Sequence, residues 1–195
     1  MLNKLRRIFG SMTKAQEILY LLKDAKDVVR QGFYDEELPM VGKFCNDNNL
    51  FLVKSRFKVL LADETAYSNK GIRIPSDDKR SGMSFVYISK VEEKSWLASY
   101  YEMMNNQQDL GLILGYPKCC VDYFCNHFSA ENPNPEITTT NPWTNISKRE
   151  KDLVLLSHFP CAADCLESVK LAKRYYETLV QENHNRAQEL LLALE

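Results

Sequence analysis

Five of the six cysteines fall between Cys119 and Cys165, and only Cys45 lies outside that stretch. They form two groups of similar build. Residues 115–125 read GYPKCCVDYFC and residues 158–165 read HFPCAADC. A proline stands just ahead of each group, and proline suits the first turn of a helix. A helix start offers unpaired N–H groups and positive potential, which favour thiolate, the form of cysteine that binds metals. Two such starts facing one another would make a metal site, so the fold must bring these two segments together.

The spacing within each group suggests which residues meet. A helix opened by Pro160 puts Cys161 and Cys165 four residues apart on one face. His158, three residues before Cys161, would approach the same point from the entering chain. Cys119 and Cys120 are adjacent and point about 100° apart on a helix, so only one of them is expected to join. The expected set is therefore Cys119 or Cys120 with His158, Cys161 and Cys165. A Cys3His set suits tetrahedral Zn2+, which His158 favours. The doubled cysteine keeps a 4Fe-4S cluster open as the alternative. Three thiolates would leave one iron free for sulfur transfer or desulfuration. A third reading is a thiol–disulfide redox protein using Cys161 with Cys165 or Cys120. In a related version, His158 activates Cys161 or Cys120 as a nucleophile. Cys125 reads as a small buried hydrophobe. His127 and His184 read as surface or locally bonded residues, and Glu102, Asp122, Asp164 and Glu167 as solvated helix charges.

The rest of the chain supplies the frame. Ala15, Ile18, Leu19, Leu22, Ala25 and Val29 recur at helical spacing, with Thr13 as N-cap and Gly32 as stop. Phe51 and Val53, then Phe57, Val59 and Leu61, alternate and suggest two strands, and residues 85–88 a third. Residues 68–82 read as a loop. Trp96, Leu97, Tyr100, Tyr101 and Met104 mark an amphipathic helix. Pro117 opens a helix to about Phe128, a Pro-containing loop covers 129–145, and Pro160 opens a long final helix. Its expected stripe is Leu166, Val169, Ala172, Tyr176 and Leu179, followed by a polar tail over 183–195. The expected fold class is α+β. A small antiparallel sheet occupies the N-terminal half, and a mostly helical C-terminal half carries the Cys/His cluster. One domain is expected over 1–195, with an α/β part at 12–112 and a helical Cys-rich part at 113–195.

Several function classes find no support. Lys+Arg 25 against Asp+Glu 26 gives a net charge of -1, so nucleic acid is not indicated as a partner. There is no Gly-rich phosphate loop, GxSxG or HExxH. No run reaches the roughly 18 apolar residues of a membrane helix. MLNKLRRIFGSM is basic but has no apolar h-region, so it reads as a frayed start and the protein as cytoplasmic.

GYPKCCVDYF together with HFPCAADCLESVKLAKR resembles an uncharacterised family of archaeal and bacterial proteins, a domain of unknown function. Its pattern runs G-[YF]-P-x-C-C-V-x-x-F and then H-x-P-C-x-x-x-C-x-x-S. The resemblance covers about Leu114 to Arg174 and carries over Pro117, Cys119, Cys120, His158, Pro160, Cys161, Cys165 and Ser168. NPWTN at 141–145 is similar to a Pro-containing linker between the two motifs. The resemblance implies a shared site and supplies no reaction.

Overall fold

The structure is a computed structural model that describes residues 1–61, 71–129, 131–138 and 141–194. The first residues are not frayed. They form α1 (Leu2–Phe9), whose Leu2, Leu5 and Phe9 share one face and are all buried. α2 (Met12–Leu22) starts at Ser11, whose Oγ accepts from the Lys14 N–H at 3.2 Å. Asp152 caps the same end from far along the chain, accepting from the N–H of Met12 at 2.9 Å and of Thr13 at 3.1 Å.

The periodicity that extended this helix to Gly32 fails at Leu22. Asp24 turns the chain with a left-handed φ of 59°. Val28–Phe33 then forms β1, since β-branched Val28 and Val29 pack well on a pleated surface. α3 (Leu38–Asp47), with Pro39 in its first turn, has no counterpart in the sequence reading. The two strands expected over 51–61 are one, β2 (Phe51–Leu61), with a register shift between Lys54 and Lys58. β3 (Gly71–Pro75) occupies part of the expected loop, and residues 68–70 of that loop lie outside the described residues. β4 (Met83–Ser89) contains the third expected strand. All pairings are antiparallel, in the order β1-β4-β2-β3.

Alternation along the strands divides the sheet into two faces. Val29, Phe33, Val86 and Ile88 face the main core, built with α1, α2, α3 and C-terminal residues such as Leu171 and Leu179. Val28, Val53 and Tyr87 face a smaller cluster with Ala98 and Leu114. These last two belong to α4 (Glu92–Met103) and to the C-terminal end of α5 (Gln107–Ile113). α4 exists as expected but presents a different face. Trp96 and Tyr100 are 52% and 51% exposed, while Ser95, Ala98 and Glu102 are buried. Glu102 is no solvated charge. It accepts from Arg30 Nη2 at 2.6 Å and Tyr87 Oη at 2.8 Å, so the helix docks through a polar knot.

The C-terminal half is helical, with α6 (Lys118–His127), α7 (Leu166–Glu182) and α8 (His184–Leu194), and short 3-10 turns at Pro142–Thr144 and Arg149–Lys151. α7 begins at Leu166 rather than Pro160. Buried Thr144 donates its hydroxyl to the Ala163 carbonyl at 2.6 Å, which ties the irregular segment before α7 to the 3-10 turn at Pro142–Thr144. Leu166 is 73% exposed, and the buried stripe is Ser168, Leu171, Ala172, Tyr175 and Leu179. α8 is not a polar tail, since Arg186, Ala187 and Leu190 are buried. Among the described residues no helix is long and apolar enough to cross a membrane.

Candidate metal centre

The turn between α5 and α6 aims the first cysteine pair. Gly115 adopts φ +80°, a left-handed conformation that favours glycine. Gly111 lets the two helices approach closely, because a Cβ there would stand 2.7 Å from Val121 Cγ2. Pro117 is the N-cap of α6, so Cys119 and Cys120 fall in its first turn. Cys165 is the N-cap of α7, and Cys161 lies in the irregular segment before it.

These four thiols converge. Their sulfurs all lie within 4.8 Å of one another. Cys119 Sγ is 3.9 Å from Cys120 Sγ and 3.7 Å from Cys165 Sγ, and Cys120 Sγ is 3.6 Å from Cys165 Sγ. All are free cysteines, at separations far beyond the ~2.05 Å of a disulfide bond. Both members of the adjacent pair take part, where one was expected. Two sulfurs at the open end of a first turn can flank one point even though their side chains diverge.

His158 stands behind the group rather than in it. Its Nε2 lies 2.8 Å from Ser168 Oγ, which lies 3.1 Å from Cys120 Sγ. Burial, with Lys26 and Arg149 nearby, holds the His158 pKa down at about 3, so the ring is neutral. When Cys120 is a thiolate it can only accept, so Ser168 donates to sulfur and accepts from His158 Nε2–H. His158 Nδ1 is then a bare lone pair, buried and without a partner among the described residues. The ring also packs on Tyr116, with centroids 5.2 Å apart. Lys26 Nζ lies 5.0 Å from the Tyr116 ring centroid and is paired with Glu17 at 2.6 Å. Nothing in the sequence marks Lys26 as a neighbour of this region.

The thiols differ among themselves. Burial pushes Cys120 up, and pushes Cys161 up to about 11. Burial also raises Cys165, but hydrogen bonding around its sulfur, from Ser168 and then from Cys120 and Cys161, outweighs it and brings the thiol down to about 7. The remaining candidates sit elsewhere. Cys45 is fully buried in the core, where burial raises it to about 12. Cys125 is half-buried and outside the four-sulfur group. His127 Nδ1 is 2.7 Å from its own helix carbonyl at Tyr123. Asp122 and Glu167 pair with Lys118 and Lys170 on the surface. His184 and Asp164 are exposed.

An α+β fold with four thiols gathered at the starts of two helices describes a protein with a soft donor set that could hold a metal ion. The family model for Protein of unknown function (DUF483) matches residues 67–194, and the chain belongs to that family. No curated protein and no solved structure matches it.

Proposed function

We propose that this is a metal-binding protein in which Cys119, Cys120, Cys161 and Cys165 hold one zinc ion as four thiolates. The observation that carries the reading is the sulfur spacing. Four zinc–sulfur bonds of ~2.3 Å at tetrahedral angles place the sulfurs ~3.8 Å apart. The separations among Cys119, Cys120 and Cys165 are 3.6, 3.7 and 3.9 Å, and Cys161 Sγ lies within 4.8 Å of each of them. A four-iron cluster would put each thiolate on a different iron, and the sulfurs would stand farther apart than the edge of one coordination sphere. His158 orients the set through Ser168 and is not itself a ligand. Bound metal would fasten the start of α6 to the segment that leads into α7, which has little regular structure of its own.

Elemental analysis with an absorption spectrum, on protein purified anaerobically without chelator, tests this. About one zinc per chain and a colourless solution are expected. Cys120→Ser and Cys165→Ser should each lower zinc content and thermal stability together. Iron with acid-labile sulfide would overturn the zinc assignment, and metal-free thiols would overturn the metal reading itself.

A further inference from the structure

α4 turns an apolar stripe to solvent, and we propose that this stripe joins two copies of the chain, their α4 helices packed antiparallel across a two-fold axis. Trp96, Tyr100 and Met103 recur at i, i+4 and i+7 and so share one face, with Met104 beside them. They are 52%, 51%, 42% and 58% exposed. The Tyr101 ring borders the stripe, 6.1 Å from that of Tyr100. The opposite face of the helix, with Ser95, Ala98 and Glu102, is the buried one. Packing within the chain therefore does not account for the stripe. Apolar residues exposed singly need no explanation, whereas a contiguous stripe marks an interaction site.

The two ends of the stripe differ, and that difference selects the occupant. The N-terminal end carries Glu92 and Glu93, both exposed and without an ion pair among the described residues. At the C-terminal end stands Arg73 of β3, which donates to the Glu102 carbonyl at 3.1 Å and to Asn105 Oδ1 at 2.6 Å. Arg30 already takes both oxygens of the Glu102 carboxylate, so Arg73 brings a positive charge in excess of it. Between the ends, aromatic rings give way to methionines. An antiparallel pair sets each acidic end against the partner's Arg73 and each Trp96 against the partner's Met103, with Tyr100 near the axis. Opposite charges, sulfur on an aromatic ring and opposed helix dipoles all coincide in that one arrangement. A parallel pair would instead set acid against acid. A two-fold contact requires a surface that complements itself, and a second copy of the chain supplies it.

Area sets the strength. Two half-exposed aromatic side chains and two methionines offer on the order of 400 Å² of apolar surface per copy. With the charged ends included, the pair buries on the order of 1,000 Å² in total, at the small end of specific contacts. The dimer is accordingly a weak one, formed and lost with concentration, and Trp96 is its anchor. The inference is independent of the metal reading.

Sedimentation velocity on the full chain, from about 5 to about 500 µM, tests this. A monomer–dimer equilibrium with a micromolar Kd is expected. Trp96→Ala should raise that Kd about tenfold. Glu92→Lys combined with Glu93→Lys should also raise it about tenfold at low salt, and by less at about 0.5 M, where surface charges are screened. Ile72→Thr removes a more exposed apolar residue, 70% exposed on β3, and should leave Kd within about twofold. All of these side chains are exposed, so the variants keep the fold, which a thermal melt checks. A chain that stays monomeric throughout the range overturns the proposal. A dimer indifferent to Trp96→Ala, or weakened as much by Ile72→Thr, puts the contact elsewhere and overturns it too. Indifference to the charge reversal overturns the antiparallel order.

Discussion

Replacing Ser168 by Ala deletes one hydroxyl and unbalances the two residues on either side of it. Cys120 loses its donor, and buried His158 is left with neither ring nitrogen bonded. Partners behind a metal ligand typically contribute 10–100-fold in affinity, so Ser168→Ala is expected to weaken zinc binding by about that factor. The orphaned imidazole should cost about 1–3 kcal/mol of stability besides. Competition against a chromophoric chelator and a denaturant melt read the two effects apart. Cys45→Ser is the contrasting case. It buries a hydroxyl in the core at about 1–3 kcal/mol, with zinc content unchanged. Loss of zinc in that variant would refute the division of the cysteines. The residue types of the centre were legible because cysteines crowd two proline-led segments. The role of His158 was not. Its three-residue spacing from Cys161 suits a ligand only if Pro160 opens a helix, and residues 160–165 are irregular, tied to Thr144 by its hydroxyl on the Ala163 carbonyl.

α4 shows the same contest between local pattern and tertiary contact. Its aromatic residues suggested an inward stripe, but the sheet face beneath carries Arg30 and Tyr87, so the helix turns Glu102 inward and leaves Trp96 and Tyr100 half outside. Burial alone would raise the Glu102 carboxyl. Arg30 and then Tyr87 outweigh that and hold it below the usual range. A carboxyl depressed in the folded state contributes stability that is complete above its unfolded pKa of ~4.3 and is lost as pH falls below it. Glu102→Gln should therefore cost about 3 kcal/mol near neutrality, because Arg30 keeps its partly buried site without a counter-charge. The gap between variant and wild type should narrow below about pH 4. A constant gap from pH 7 to pH 3 in urea melts would rule out the charge pair as the cause. Strand residues were legible where they alternate, as at 51–53 and 57–61, though the pattern divided one strand into two, and the third expected strand, residues 85–88, falls within β4. Residues 23–33 misled because Ala25 and Val29 fit a helical period equally well, and only the left-handed turn at Asp24 breaks the tie.

In the whole molecule the centre and the core are separate. None of the four clustered cysteines belongs to the main core. Chelation should therefore leave far-UV circular dichroism at 25 °C nearly unchanged while lowering Tm. Saturating zinc at 100–1,000 times its Kd stabilises by about 3–4 kcal/mol, which for a chain of this size corresponds to a Tm shift on the order of 10 °C. Collapse of the helical signal on chelation at 25 °C would show instead that the fold depends on the metal.

The core itself closes over long distances in sequence. Asp152 caps the start of α2 from 140 residues away, and Arg186 of α8 bonds Gln16 of α2 across 170. During synthesis at about 5–20 residues per second, α2 waits roughly 10–30 s for those partners. Throughout that interval α2 has only α1, α3 and the sheet to pack on, and the side of the core later closed by Leu171, Leu179 and Leu190 stays open, so this half-built core is what a holding chaperone would meet.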